Sequence, residues 1–340
     1  MNDFLLSILS GIHSWGVNWG WSMVIFTFLI RLVMTPLDFK SRAGMRKTTK
    51  LQPKLAELQK KYANDKEKLN AKTAELYKKE GVNPLSSCLP LLLTWPILII
   101  VFSAMRTAAN RELLSQVTDI LNNHAPTMEP WLWIKNLWMP DSFFSPAWPD
   151  AGTLRMIPSD MWQSWFNGFG ENLPALLQGA GLTAESFSNA NLTATLQTLA
   201  TQMSQNPAYV EAMQTMPGWE ISIPLMSTLR VVNQYNGWML LPILSAVTQI
   251  IMTKVMSGKQ EQKDKLAKAQ EQQQNPMSGK FMTWFFPIFS LVICFGYSSA
   301  FALYWVAGNV VSMIQTLIIN KVLDEREKKS GPLAGEGTVK

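Results

Sequence analysis

"WSMVIFTFLIRLVMTPLDFK", Trp21 to Lys40, is the stretch on which the fold turns. It is apolar over most of its length, and a lipid bilayer takes about 20 such residues to cross as a helix. Yet Arg31 sits inside it. Two physical accounts fit. In the first, Arg31 snorkels: it lies about six residues, or roughly 9 Å of helix rise, before the end of the apolar run near Leu37. A long side chain reaches headgroups from there. In the second, it faces a water-filled cavity between helices, where charged groups in spans mark a pathway or a site. Thr27, at i−4, lies one turn up on the same face. None of the apolar runs of the chain carries an acidic residue to pair with Arg31. An unpaired buried cation needs water, lipid phosphate or an anionic ligand. This tilts the reading toward a hydrated groove that attracts acidic groups.

Four further apolar runs organise the rest of the chain. The expected spans cover 19–37, 85–105, 237–256, 281–297 and 299–319. The last two share one apolar stretch, Phe281 to Ile319, which is too long for a single crossing, and "GYSSA" (Gly296 to Ala300) is the natural place to turn. Pro90, Pro96, Pro242 and Pro287 fall inside these runs, where they kink helices that neighbouring helices then support. The chain is 47% hydrophobic and 16% charged, too apolar for an ordinary soluble domain and too polar for one lying wholly in lipid. The fold expected is therefore an all-α membrane protein: five transmembrane helices around a hydrophilic groove, with sizeable polar segments between them.

Charge sets the expected orientation. Residues 38–84 hold 13 Lys/Arg against 6 Asp/Glu, and the loop Lys254–Lys280 holds 6 against 3. Thr107–Gly237 reverses the balance, with 4 against 10. By the positive-inside rule the 38–84 segment, the 257–280 loop and the 320–340 tail are cytoplasmic. The N-terminal amphipathic segment 1–18 and the long loop 106–236 are then outside. The N-terminal segment lacks the basic residues of a signal peptide.

In the 38–84 segment, Leu51, Leu55, Leu58 and Tyr62 fall on one helix face, followed by a weaker stripe at Leu69, Thr73, Leu76 and Tyr77. Asn64 or Asp65 caps the second helix. The result is a helical hairpin, either a solvated spacer or a basic surface for anionic lipid or ribosomal RNA. In the outer loop, "PWLWIKNLWMP" (Pro130 to Pro140) and "MWQSWF" (Met161 to Phe166) read as amphipathic segments resting on the outer leaflet. Asn172 to Met216 reads as a small helical subdomain or a looser loop.

The other spans offer polar groups that extend the Arg31 face: Thr94, Thr248 and Gln249, then Tyr304, Asn309, Ser312 and Gln315. Interhelical hydrogen bonding is the plain account of Asn309 and Gln315. Tyr304 and Trp305 equally read as packing aromatics. Cys88 and Cys294 read as packed thiols, and no metal-ligand spacing, phosphate loop or nucleophile motif occurs. No enzyme, metal or organic cofactor is expected. The rival to a groove for polypeptide is a transporter or channel for a solute, which usually shows internal repeats; none is apparent across five spans.

Five blocks, "TFLIRLVMTPLDFKSRAGMRKTTKLQPKLAELQKKY", "LYKKEGVNPLSSCLPLLLTWPI", "PWLWIKNLWMPDSF", "LLPILSAVTQIIMTK" and "ALYWVAGNVVSMIQ", occur in the order seen in YidC-type membrane insertases. The resemblance covers all five spans and the hairpin. It implies a membrane insertase and chaperone in the bacterial cell membrane, with the N-terminus outside and the C-terminus cytoplasmic. Its partners would be nascent membrane proteins, membrane lipids, the ribosome through the basic hairpin and loops, and the Sec translocon for some clients. The groove residues it implies are Arg31, Thr27, Thr94, Gln249, Asn309 and Gln315. The surface along which client helices slide maps to Pro96, Tyr304 and Trp305. The chain departs from that pattern in three places. Thr94 stands where Gln is frequent. Ser298-Ser299-Ala300 replaces a Pro- and Gly-bearing turn. Residues 144–236 form an insertion that the resemblance does not account for.

Overall fold

The computed structural model describes residues 2–82, 89–222, 228–257 and 280–330. The chain is mainly helical and divides into two compact units. One comprises 1–26, 101–246 and 289–306, here the loop unit; the other comprises 27–100, 247–288 and 307–340, here the hairpin unit. Cys88 and most of the 257–280 loop lie outside the described residues.

Helix α1 (Asn2–Ser14) is amphipathic and buries Leu6, Leu9 and Ile12. Helix α2 runs unbroken from Trp19 to Lys61, through Pro36 and Pro53. The expected division at Leu37 is therefore not a helix end. Hydropathy changes there, but the backbone does not, because strong helix formers follow. After a turn at Tyr62–Asn64, α3 (Lys66–Lys79) begins with Asp65 accepting a hydrogen bond from the Lys68 N–H at 3.0 Å. Leu51 and Leu55, on the expected apolar face of α2, are buried.

Helix α4 (Leu89–Leu121) continues well beyond the expected span end at 105. The 144–236 insertion folds as short helices α5 (Ala151–Leu154), α6 (Ser159–Gly168), α7 (Ala175–Gly179), a 3-10 turn (Ala184–Phe187), α8 (Leu192–Met203) and α9 (Pro207–Ala212). A two-stranded antiparallel hairpin follows, β1 (Thr215–Ile221) with β2 (Leu229–Val232), Thr215 opposite Val232. The subdomain has its own aromatic core: Trp162 stacks on Phe187 with ring centroids 5.3 Å apart, and Trp165, Phe166 and Phe169 surround them. Tyr209 donates to the Pro149 carbonyl at 3.1 Å, and burial pushes its phenol well above the ordinary range.

Three helices complete the chain: α10 (Leu240–Ser257), α11 (Lys280–Gly296) and α12 (Ser299–Ser330). The break between α11 and α12 falls at Tyr297 and Ser298, inside the expected turn. No proline or glycine motif is needed there. Residues of the 106–236 loop stitch the turn instead: the Ser299 N–H and Oγ both donate to the Met139 carbonyl (2.9 and 2.7 Å), and the Ala300 N–H donates to Leu137 at 2.8 Å. These bonds satisfy N–H groups that open a helix without intrahelical partners.

The stretch Trp131–Pro140 is not a surface-lying helix. Ile134, Leu137, Trp138 and Met139 are buried, and Asn136 and Asn236 lock the segment from within. Asn236 accepts from the Asn136 N–H at 2.7 Å and donates to the Asn136, Met139 and Pro140 carbonyls at 2.8–3.0 Å. Asn136 donates in turn to Gln116 and Ala147. Asp141 accepts from Trp133 Nε1 and from the backbone N–H groups of Met239 and Leu241, capping the start of α10. This holds Met239 at φ 59°, a conformation that costs a non-glycine residue about 1 kcal/mol or more. A Cβ on Gly237 would collide with the Asp141 carboxylate, so only glycine leaves the cap room.

Candidate functional site

Two described helices, α2 over Trp19–Leu51 and α12 over Ser299–Lys329, are long and apolar enough to cross a membrane; α10 and α11 contain shorter apolar segments. Their exposed side chains are mostly apolar: Phe28, Leu32 and Val33 on α2, Ile243 and Val247 on α10, Ile288 and Val292 on α11, Ile314 and Leu317 on α12. In water such surfaces would drive association. Against lipid they are the expected exterior.

The opposite face of α2 is polar. Because the helix is unbroken, Thr27, Arg31, Thr35, Asp38, Arg42, Arg46 and Lys50 recur every three or four residues along one stripe. This stripe meets α12. Thr27 is buried and Arg31 half-buried, and both lie against Gly308, where a built Cβ would stand 3.5 Å from Arg31 Nη2 and 3.8 Å from Thr27 Cγ2. Gln315 Nε2 donates to the Arg31 carbonyl at 2.7 Å and to Thr35 Oγ1 at 2.6 Å. Arg42 donates to Thr316 Oγ1 at 2.6 Å, and that hydroxyl donates to the Ser312 carbonyl. Arg46 then bonds Asp324 at 2.7 Å and the Asn320 carbonyl at 2.9 Å, and Lys50 pairs with Glu327 at 3.3 Å. The Arg326 guanidinium lies 4.9 Å from the centre of the Phe39 ring. The tail from Asn320 to Lys329 is thus a docked helix.

The partners change along the seam. Near Lys50 and Arg46 the cations meet carboxylates. At Arg42 the hydrogen-bond partner is a neutral hydroxyl. At Arg31 no carboxylate of the described residues stands within ion-pair distance. A half-buried guanidinium with neutral neighbours is the arrangement that favours an incoming anion, since attraction strengthens as the effective dielectric falls.

The expected groove residues distribute as follows. Thr27, Arg31, Gln249, Asn309 and Gln315 all belong to the hairpin unit. Asn309 donates to Thr248 Oγ1 of α10 at 3.1 Å. Asn309 and Gln315 therefore make interhelical bonds, as the plain account had it, and Gln315 also braces the Arg31 backbone. Gln249 is half-buried on α10. Thr94 belongs to α4, in a stretch whose side chains lie outside the description. The sliding-surface residues are less uniform. Pro96 is exposed, Trp305 half-buried and Tyr304 buried. Cys294 is buried, as expected of a packed thiol. Sequence reasoning missed Thr35, Asp38, Arg42, Gly308 and Thr316. For Thr35, Asp38 and Arg42 the signal was the helical spacing from Arg31, which runs past Leu37 on the unbroken helix; Gly308 and Thr316 lie on another helix and had no such signal.

Comparison with known proteins shows what the chain is similar to. A family model described as 60Kd inner membrane protein matches residues 11–327. A protein of Fusobacterium nucleatum named "Membrane protein insertase YidC" is 42% identical over 107 residues, 32% of this chain and 52% of that protein. Proteins of the same name from Campylobacter jejuni and Leptospira interrogans are each 33% identical, over 141 and 217 residues. Those alignments cover 41% and 63% of this chain, and 24% and 28% of the relatives. The chain thus spans about half the length of the first relative and about a quarter of the other two.

Proposed function

Because the chain belongs to the 60Kd inner membrane protein family, we propose that it is a membrane protein insertase, the activity named for its relatives. It has no enzymatic step. In this reading α2, α4, α10, α11 and α12 are five spans around a hydrophilic groove open to the cytoplasm and to lipid. The N-terminus is outside and the tail is cytoplasmic, as the charge balance requires. The observation that carries the reading is the half-buried Arg31 guanidinium on a membrane-length helix, beside Thr27 and Gly308 and with no carboxylate of the described residues within ion-pair distance.

The mechanism follows from that charge. An acidic residue in the short outer tail of a nascent client is drawn to Arg31, more strongly in a groove of lowered dielectric than in bulk water. Thr27, Gln249, Asn309 and Gln315 supply hydrogen bonds to polar groups on the way, so that the tail is not stripped of partners in hydrocarbon. The client's apolar segment then leaves along Pro96 and Trp305 into lipid, driven by burial of about 25 cal/mol per Å² of apolar surface. The basic hairpin α2–α3 faces the ribosome, and the Sec translocon is a partner for some clients. Reconstitution of Arg31→Glu with a single-span client carrying an acidic tail tests this. Insertion is expected to fall about tenfold or more, since the variant repels what the wild type attracts. Undiminished insertion would overturn the charge-attraction mechanism.

A further inference from the structure

Asp38 is the one carboxylate on the α2 stripe between the two cations that lack an ion-paired partner. Thr35 and Arg42 both face α12, through Gln315 and Thr316, and Asp38 lies three residues after one and four before the other. It therefore shares their face. It is half-buried, as are Arg31 seven residues earlier and Arg42 four later. Neither guanidinium stands within 4 Å of it among the described residues; along the helix it lies about one turn from Arg42 and about two turns from Arg31. An unbroken helix fixes this order of charges: cation, anion, cation along one face.

Resting on the insertase reading, we propose that Asp38 is the resident counter-charge of the groove and sets which client tails it accepts. The negative charge of Asp38 partly cancels the field of Arg31 and Arg42, so an incoming acidic residue competes with it. A tail with one carboxylate gains little over a neutral tail. A tail with several outcompetes Asp38. The chain thus selects for strongly acidic tails, and selectivity is set by a residue that need not touch the client.

Insertion into proteoliposomes of three single-span clients, identical except for outer tails bearing zero, one or three acidic residues, tests this with the full chain. The readout is the ratio of insertion rates between tails, which a general loss of folding does not move. For Asp38→Asn the one-acid to zero-acid ratio is expected to rise about three- to tenfold, as for removal of one charge several ångströms away at intermediate dielectric. Asp38→Glu, which keeps the charge, is expected to hold the wild-type ratio. An unchanged ratio in Asp38→Asn, with the wild type active, would overturn the role of Asp38 and leave the insertase reading standing. A raised ratio in Asp38→Glu would do the same, since it would trace the effect to side-chain shape. Failure of the wild type to insert any of the three clients would instead strike the insertase reading, and this inference with it.

Discussion

The loop unit and the hairpin unit both bury polar groups, but they do so in opposite ways. In the loop unit, Asn136, Asn236 and Gln116 hold each other and the backbone by hydrogen bonds, and Asp141 holds Trp133 and the backbone at the start of α10. In the hairpin unit, the α2 stripe places cations against α12 with partners that thin from carboxylates at Arg46 to neutral groups at Arg31. Fully paired groups fix a structure, because every alternative leaves a donor or acceptor unmet. Underpaired charges keep an affinity for something else. The sharpest way to break the comparison is Asn236→Ala. It strands the Asn136 N–H and the Pro140 carbonyl inside the loop unit and takes one bond each from the Asn136 and Met139 carbonyls, which keep other donors. At about 1–3 kcal/mol for an unmet buried group, partly offset by entering water, we expect a loss of about 3 kcal/mol. Thermal unfolding in detergent checks it. A loss under 1 kcal/mol would mean that the network is not the lock described.

The seam should respond more weakly and through salt. Arg46→Ala removes the bonds to Asp324 and Asn320, but these groups are partly exposed, and such pairs are worth about 1 kcal/mol or less. The expected result is faster hydrogen exchange in residues 320–329, by several-fold, with the rest of the chain unchanged. In the wild type, high salt should raise exchange in the same residues by screening the same pairs. Exchange that ignores both the substitution and salt would show that Leu323 and Ile319, which are buried there, hold the tail without the charges.

What the sequence disclosed and what it hid follow one physical divide. The hairpin was legible because Leu51 and Leu55 repeat at helical spacing and Asp65 caps the next helix, all within local reach. The turn at Tyr297–Ser298 was legible because the apolar run is too long for one crossing. Its means of turning was not, since the partners Leu137 and Met139 lie far away in the chain. Trp131–Pro140 was misjudged for the same reason: aromatic residues look alike whether they rest on lipid or are buried, and Asn236, 100 residues from Asn136, decides between the two. The polar stripe was half legible. Arg31 stood out against an apolar run, whereas Arg42 and Arg46 were lost among the basic residues around them, although their spacing from Arg31 places them on its face.

Glu112 gives the finest test, because it is an exception inside the loop unit. This α4 carboxyl is held above its ordinary range, chiefly by burial and next by the charge of Glu129, while His13 acts in the other direction. A raised value in the folded state means that the folded chain binds the proton more tightly than the unfolded chain. Stability is then fully present below the ordinary glutamate value of 4.5 and is lost as pH rises through the raised one. Glu112→Gln removes that loss. At about pH 4, where Glu112 is largely protonated, variant and wild type should melt together; toward about pH 8 the variant should melt higher, by a small margin because the group is not fully buried. A gap of constant size across that range would assign the effect to packing rather than charge.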